Sequence, residues 1–364
     1  MTGGLLQLVA YGAQDVYLTG NPQITFFKVV YRRHTNFAME SIVQTFNGSG
    51  KRLTAQISRN GDLIHKMYVV MKVGTSFDAS RVGHRLLEKV ELEIGGQLID
   101  RQYSNWMYIW NELSLPFGKT NGFAKMVGET GDDVTVNAER KLYVPLEFWF
   151  CRNIGLALPL IAMQYHEVKV NIEFSDEFGK LSDRELWVDY IYLDTDERRR
   201  FAQLSHEYLI EQIQFTGNES AKSKNEKIKL NFNHPVKELV WVFSDSRSNI
   251  TPTHWTEFEE METAKLQLNG NDRFAERDSM YFSHVQPYQH HENIPDGKNI
   301  YMYSFGVKPE EHQPSGTLNM SRIDTATLSV GFTTENDNRQ SYVYAVNYNV
   351  LRILSGMAGL AYSN

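Results

Sequence analysis

The sequence has 364 residues, of which 41% are hydrophobic and 12% aromatic. This length and composition predict a folded protein of about two domains, each with its own core, and they exclude a disordered chain. The 44 acidic and 37 basic residues leave a net charge of −7. Because a mildly acidic chain has no general attraction for nucleic acid, we predict no genome-coating role and no direct nucleic-acid partner.

Two further features indicate the environment in which the chain is made. The single cysteine, Cys151, excludes an intrachain disulfide and fits a reducing compartment. No basic segment followed by an apolar core and a cleavage site opens the sequence, so no secretory signal is predicted. The longest apolar run, residues 154–163, is broken by Pro159 and is far shorter than the roughly 20 residues that span a bilayer. We therefore expect a soluble protein made under cytosol-like conditions.

The stretch from residue 11 to residue 37 is rich in aromatic side chains and shows neither helical nor strand periodicity. Six aromatic residues fall in this segment, more than can stay in water without a partner surface: Tyr11, Tyr17, Phe26, Phe27, Tyr31 and Phe37. Two interpretations are open. The segment is an arm packed on its own domain, or it docks on other molecules with Arg32, Arg33 and His34 as its polar end.

Alternating apolar and polar residues after this segment predict a series of short strands. In the first half of the chain they fall near residues 37–46, 53–58, 63–73, 86–94, 141–150, 167–174 and 186–193. Gly95 and Gly96 predict a tight hairpin to residues 97–100. Four large apolar residues at helical spacing predict a helix over residues 103–113. The glycine-containing stretch 116–133 is predicted to be an irregular surface loop.

The second half of the sequence repeats the pattern of the first. Four pairs of segments correspond: residues 90–96 with 264–270, 168–174 with 326–332, 63–70 with 236–243, and Tyr143 with Tyr301. A repeat of roughly 160–175 residues is too long for a solenoid unit and has the size of a whole β-sandwich domain. The chain is therefore predicted to contain two copies of one domain.

The predicted fold is all-β, with two consecutive eight-stranded jelly-roll sandwiches and short helices in loops. Periodicity by itself indicates only a β-sandwich; the strand number, the long excursion and the distant return strand of each half favour a jelly roll. The charged run 194–200 is predicted to be a solvated linker, and the small apolar residues 355–361 are expected to pack. The expected organisation is an N-terminal arm at 1–36, a first jelly-roll domain at 37–200, and a second at 201–364 that includes the C-terminal tail.

No group of residues has the composition and spacing of a catalytic centre, so the protein is predicted not to be an enzyme. Cys151 follows an aromatic run at a strand end, which is typical of a buried structural thiol. The densest group of metal-ligating residue types is formed by His284, His290, His291 and Glu292. Adjacent histidines on a strand point to opposite faces, so we predict no metal and no cofactor, with a loop-held structural metal as the alternative.

The run from residue 12 to residue 37 resembles the amino terminus of the major capsid proteins of large icosahedral DNA viruses, the phycodnavirus and iridovirus kind. Four later stretches resemble the same family in the same order: residues 57–63, 156–167, 192–202 and 351–364. The resemblance therefore extends from end to end of the chain. It implies a double jelly roll that serves as a structural subunit of an icosahedral viral capsid.

The resemblance also implies how the subunit is used. Three copies would form a pseudo-hexagonal homotrimeric capsomer that tiles the virion shell beside neighbouring capsomers, after assembly in the host cytoplasm. The arm would lie at the inner side, near minor capsid proteins and an internal virion membrane. The residues expected to make these capsid-interior contacts are Tyr17, Phe26, Phe27 and Tyr31, with the polar anchors Arg32 and Arg33.

The chain differs from most of these relatives in length, since it is shorter, chiefly in the loops. The excursion between residues 289 and 299 of the second half is reduced. This difference keeps a low-copy capsid paralogue as an alternative to the main shell protein. A carbohydrate-binding jelly-roll module on a virion surface is a second alternative.

Overall fold

The computed structural model describes residues 2–74, 81–128, 140–176, 179, 181–245 and 258–363. Contacts between residues separate the chain into two compact units, Met1–Asn36 and Phe37–Asn364, and each is described by itself. The first unit, which we call the arm, contains helices α1 (Gly3–Val9) and α2 (Val16–Thr19). No described residue of the arm is buried, so this unit has no hydrophobic core of its own.

Ten strands of the first half form two antiparallel sheets. They are β1 (Phe37–Gln44), β2 (Phe46–Asn47), β3 (Arg52–Gln56), β4 (Leu63–Val73), β5 (Leu87–Ile94), β6 (Gln97–Tyr103), β7 (Arg140–Pro145), β8 (Leu158–Pro159), β9 (Val168–Phe174) and β10 (Leu181–Leu193). Sheet A has the order β1-β10-β4-β7, with β8 beside β4, and sheet B has the order β2-β3-β9-β5-β6. Buried side chains from both sheets form one hydrophobic core.

The β5–β6 hairpin shows how local sequence sets this architecture. Val90, Leu92 and Ile94 are fully buried, as their period of two predicts. Ile94 pairs with Gln97, so the turn consists of Gly95 and Gly96, whose φ angles are +56° and +83°. Two successive positive φ angles are what a tight hairpin turn needs and what glycine adopts without strain. The predicted hairpin is confirmed.

Twelve strands of the second half form two further antiparallel sheets. They are β11 (His206–Phe215), β12 (Glu219–Ser220), β13 (Asn225–Leu230), β14 (Pro235–Asp245), β15 (Thr263–Leu268), β16 (Asn271–Asp272), β17 (Arg277–Asp278), β18 (Tyr301–Ser304), β19 (Leu318–Asn319), β20 (Ala326–Gly331), β21 (Arg339–Leu354) and β22 (Met357–Leu360). Sheet C has the order β11-β21-β14-β18, with β12 and β22 beside β21 and β19 beside β14. Sheet D has the order β13-β20-β15-β16, with β17 beside β15.

The two halves have the same strand order. In the described part of the chain each half has eight main strands, numbered here 1 to 8 in chain order. Sheets A and C both have the order 1-8-3-6, and sheets B and D both have the order 2-7-4-5. This is the jelly-roll connection of two Greek keys, so the predicted double jelly roll is confirmed.

The predicted alignment of the first half with the second is confirmed for two pairs of strands and is wrong by one residue for two others. Phe174 and Phe332 are both buried in equivalent cores, as predicted. Met67 and Val69, in contrast, face the first core, whereas the residues aligned with them in the sequence, Val240 and Val242, lie on the opposite face of sheet C. An alignment one residue earlier pairs Met67 and Val69 with Leu239 and Trp241, which do face the second core, so the predicted alignment was one residue out and exchanged the two faces of the strand.

Tyr143 and Tyr301 show the same one-residue error. Tyr143 is 41% exposed, whereas Tyr301 is 1% exposed and belongs to the second core. The strands that carry them, β7 and β18, are nevertheless equivalent, because each pairs with the third strand of its half. The sequence therefore predicted the correct strands but not the correct faces.

Short helices occupy the connections between strands. They are α3 (Val82–Leu86), α4 (Ser104–Ser114), α5 (Phe117–Val127), α6 (Trp149–Arg152), α7 (Thr195–Gln203) and α8 (Gln286–His290), with 3₁₀ turns at Ile154–Leu156, Leu160–Ala162 and Met320–Arg322 and a π-helical segment at Tyr281–Val285. Helix α4 confirms the helix predicted over residues 103–113. Within the described residues, no helix has the length and apolar character required to cross a membrane.

The prediction of an irregular loop over residues 116–133 is wrong for the part that the structure describes, and residues 129–139 lie outside it. Helix α5 forms because Phe123 and Val127, one turn apart, bury their side chains. Burial of these two residues offsets the poor helix propensity of Gly118 and Gly122, which lie earlier in the helix. The strand predicted over 141–150 also ends early, at Pro145, and α6 follows it.

The charged run 194–200 lies in helix α7, between the last strand of the first half and the first strand of the second. The side chain of Asp194 accepts a hydrogen bond from the backbone N–H of Thr195 at 2.8 Å, and Asp196 and Glu197 occupy the first turn of α7. Acidic residues at a helix N-terminus favour the helix electrostatically. No residue of α7 is buried, so the predicted solvation of this run is confirmed, and the structure adds that the run is helical.

Candidate assembly surfaces

The arm carries all six residues that the sequence predicted for capsid-interior contacts. The side chains of Tyr17, Phe26, Phe27 and Tyr31 are 85% to 97% exposed. Arg32 and Arg33 are exposed as well. The structure thus places these residues in one segment but does not bring them together into a packed cluster, and their role stays a prediction.

The rest of the arm is also apolar and exposed. Leu5, Leu8, Leu18, Ile24 and Val30 each expose more than half of their side chains. Local hydrogen bonds shape the turn before α2, where the carboxylate of Asp15 accepts from the N–H of Gly12 at 2.6 Å. Large exposed apolar surfaces are typical of interaction sites, so the arm is a candidate docking surface.

A second apolar surface, inside the larger unit, joins the two halves. Helix α4 of the first half packs on the face of sheet C that points away from the second core. Trp106 lies 5.3 Å from the ring of Tyr344 and 5.8 Å from that of Trp110. Trp106 and Tyr344 are both 1% exposed. The helix was predicted from the sequence, but the surface that it covers was not.

Beside this aromatic contact lies a buried ionic cluster centred on Glu211 of β11. Its carboxylate contacts Nη2 of Arg152 at 2.8 Å, Nζ of Lys237 at 2.7 Å and Nδ1 of His312 at 3.4 Å. Burial acts to raise the pKa of Glu211, but the neighbouring cations outweigh it and lower the pKa to about 2. Because Arg152 belongs to the first half and the other members to the second, the cluster ties the two halves together.

A second buried cluster is centred on His291. In the described part of the chain, His291 is the only histidine of the predicted metal-ligating group that contacts two carboxylates. His291 Nε2 lies 2.8 Å from Glu238 and its Nδ1 lies 2.7 Å from Glu310. Burial disfavours the imidazolium, yet the two glutamates raise the pKa of His291 to about 9. With both ring nitrogens donating hydrogen bonds, this histidine is a cation in an ion triad, and the edge of its ring faces Trp110 at 6.2 Å.

We expect this triad to make stability depend on pH. His291 binds its proton more tightly in the folded chain than at its ordinary pKa of 6.5. Its contribution is therefore fully present below pH 6.5 and is lost as the pH rises through about 9. The free energy of unfolding should fall by about 1–3 kcal/mol across this window.

The measurement compares urea unfolding of wild type and His291→Gln at pH 6.5, 7.5 and 9. The variant should be less stable at pH 6.5 and should lose most of the pH dependence in this range. His290→Gln is the matched control, since His290 contacts only the backbone carbonyl of Val307 through its described hydrogen bond, at 2.9 Å. An unchanged pH profile in the His291 variant would show that the imidazole is not charged in the fold.

The cysteine and the other histidines that were considered as candidate catalytic or metal-binding residues do not form a shared site in the described part of the chain. The thiol of Cys151 is buried, and this burial, with the nearby Glu147, raises its pKa well above the usual range. His284 contacts Asp296 at 3.3 Å, while His290 and His291 bond to different groups. Within the described ranges, no three His, Cys, Asp or Glu side chains are arranged to hold a metal ion.

Comparison with known proteins shows the family. A family model described as "Major capsid protein N-terminus" matches residues 25–194, and one described as "Large eukaryotic DNA virus major capsid protein" matches residues 197–359. The "Major capsid protein" of Pyramimonas orientalis virus is 56% identical in an alignment that covers 100% of both chains. The chain belongs to the family of large eukaryotic DNA virus major capsid proteins.

Further capsid proteins match this chain over 93% or more of its length. The "Major capsid protein" of Paramecium bursaria Chlorella virus 1 is 44% identical, with 100% of both chains covered. The crystal structure of PBCV-1 VP54 has a TM-score of 0.85 at 40% identity and covers 93% of this chain and 100% of its own. The Faustovirus major capsid protein, with a TM-score of 0.77 at 12% identity, shares the fold.

Proposed function

We propose that this protein is a structural subunit of an icosahedral virion capsid and that it works as a pseudo-hexagonal homotrimer. The observation that carries the proposal is the duplication: two jelly rolls with one strand order are joined by a buried aromatic and ionic contact. The complete match to a major capsid protein at 56% identity supports it. A subunit of this kind contributes binding surfaces and no catalysis.

The duplication explains how one gene product can tile a flat facet. Three copies of a two-domain chain place six similar sandwiches around one axis, so that the trimer has a nearly hexagonal outline. Closed cyclic symmetry makes this assembly a defined block rather than an open chain. The domain division at residues 37–200 and 201–364 is part of this proposal, as is assembly of the blocks in the host cytoplasm.

The test of this proposal is the mass of the purified protein. Native mass spectrometry or light scattering at micromolar concentration should give three times the 42.0 kDa of the chain. Electron microscopy of the same sample should show particles with a hexagonal outline. A monodisperse monomer would overturn the proposed capsomer.

The arm is proposed to contact minor capsid proteins or the internal virion membrane at the inner face of the shell. The exposed rings of Tyr17, Phe26, Phe27 and Tyr31 support this role, because each large apolar side chain buried in an interface contributes about 1.5–3 kcal/mol. Ordering the arm opposes binding by roughly 1–2 kcal/mol per residue of backbone. Arg32 and Arg33 would serve as the polar ends of the contact.

Deleting residues 1–30 should leave both jelly rolls folded and impair particle formation. No described residue of the arm is buried, so the melting temperature should change by less than about 2 °C. Particle yield in cells that also express the viral partners should fall strongly. A large drop in melting temperature would show that the arm belongs to the folded core, and unchanged particle yield would contradict the docking role.

A further inference from the structure

The contact between the two halves provides a template for a contact between chains. In the first half, α4 starts at Ser104, directly after β6, and lies on sheet C. The residues of sheet C beneath it form a row across four strands: Phe215, Tyr344, Val240 and Met302. This row faces away from the second core and is covered by the helix.

The second half has an equivalent segment at the same point of its fold. Val90 pairs with Gln102 in the first half, and its equivalent Ala264 pairs with Arg277 in the second. This register corresponds to a separation of 175 residues, and the π-helical segment followed by α8 begins within two residues of the position equivalent to the start of α4. By this register, the positions of Trp110 and Leu113 are taken by Val285 and Tyr288.

The side chains at these equivalent positions are exposed rather than covered. Tyr288 is 76% exposed and Val285 is 37% exposed, in contrast to the buried Trp110 and Leu113. Met280, on the same segment, is 63% exposed. The second half thus presents an apolar helical surface that no sheet in the described part of the chain covers in the way that α4 and sheet C cover each other.

The first half presents the complementary surface. On the face of sheet A that points away from the first core, Val43 pairs with Trp187, which pairs with Tyr68. This row is equivalent to Phe215, Tyr344 and Val240 of sheet C. Tyr143 of β7 lies on the same face, opposite Val70, two residues along β4 from Tyr68, and Val43 and Tyr143 are 38% and 41% exposed. Lys141 lies over the rings of Tyr143 and Trp187, at 5.7 and 6.0 Å.

We propose that the segment Tyr281–His290 of one copy docks on this face of sheet A in a second copy. The occupant is a second copy of this chain, because the chain already contains the same pairing between its own halves. The inference deepens the proposed homotrimer and rests on it. The contact joins two different surfaces, so it is heterologous. In a trimer, three such contacts between chains would alternate with the three contacts between the halves of each chain, and together the six contacts would close a ring.

Engineered cysteines test this docking directly. The double variant Tyr288→Cys/Tyr143→Cys places one thiol on each proposed surface, while the native Cys151 is buried. Treatment of the assembled protein with a short bis-maleimide should yield covalent dimers and trimers on a denaturing gel. Each single variant should remain monomeric on the gel, and a mixture of the two should give dimers after co-assembly.

The matched control is Lys227→Cys combined with Tyr143→Cys. Lys227 lies on β13, at the edge of sheet D opposite β16, and is exposed. Its equivalent in the first half, Thr54, bonds to Asn171 of its own sheet. This pair should not cross-link, because the corresponding surface takes no part in the internal contact.

A separate measurement distinguishes failure of the docking from failure of the trimer. If the mass is that of a trimer and Tyr288→Cys/Tyr143→Cys does not cross-link, the docking surfaces are wrong and the capsomer stands. If the mass is that of a monomer, the proposed function fails as well. The variant Tyr288→Ala should raise the dissociation constant of the trimer at least tenfold while the melting temperature of the chain is kept, and an unchanged constant would also overturn the docking.

Discussion

Replacing Glu211 by glutamine is expected to lower the free energy of unfolding by about 3–5 kcal/mol. The carboxylate is 4% exposed and contacts Arg152 and Lys237 at 2.8 and 2.7 Å. An amide removes the negative charge and leaves two cations buried without their counterion. Loss of one partner from a buried ion cluster is costly because the remaining charges stay out of water. Urea unfolding at neutral pH measures the effect.

Glu207→Gln is the matched control, since Glu207 lies on the same strand, four residues before Glu211. It pairs with Arg352 at 2.8 Å, but both side chains are at least 60% exposed. An exposed ion pair contributes about 0–1 kcal/mol, so this variant should be nearly as stable as wild type. Equal effects for the two variants would mean that burial does not determine the strength of the Glu211 cluster.

Trp106→Ala is expected to destabilise the protein by about 3–5 kcal/mol, the usual cost of removing a buried tryptophan side chain. The ring is 1% exposed and packs between Trp110 and Tyr344 at the contact between the halves. Its removal leaves a cavity between elements that cannot both move to fill it. A lower urea midpoint and weaker tryptophan fluorescence change on unfolding are the measurements.

Phe117→Ala is the control for this second variant. Phe117 is also an aromatic residue of a first-half helix, but it is 87% exposed. Substitutions of exposed residues usually change stability by less than about 0.5 kcal/mol. If Trp106→Ala were equally mild, the contact between the halves would not stabilise the chain, and the template for docking between copies would lose its basis.

Both predictions concern the joint between the jelly rolls, and the joint has a consequence for function. A capsomer with a fixed outline requires that the two halves of each chain keep one orientation. The aromatic contact of α4 buries apolar side chains at this joint, and the Glu211 cluster adds directional contacts. Variants that loosen the joint should therefore reduce capsomer assembly even at temperatures where each half remains folded.

Local sequence determined much of the architecture. Period-two alternation predicted the core faces of β5 and β9, and the two glycines predicted the hairpin after Ile94. Helical spacing of large apolar residues predicted α4. The internal repeat predicted two similar domains, and the resemblance added the capsid family. These features depend on residues that are neighbours in the chain, or on a comparison of one half with the other.

Tertiary contacts decided the rest. Helix α5 forms against its local propensity because Phe123 and Val127 find a buried surface. Strand β14 is buried along almost its whole length, so no alternation pattern could indicate which of its faces meets the second core. The partners of Glu211 and His291 lie far from them in sequence, so their ion clusters appear only when strands and loops of the fold meet. The sequence alone thus specified which segments alternate, turn and repeat. Which faces meet was decided by tertiary packing, because burial and long-range charge pairing depend on distances that local sequence does not contain.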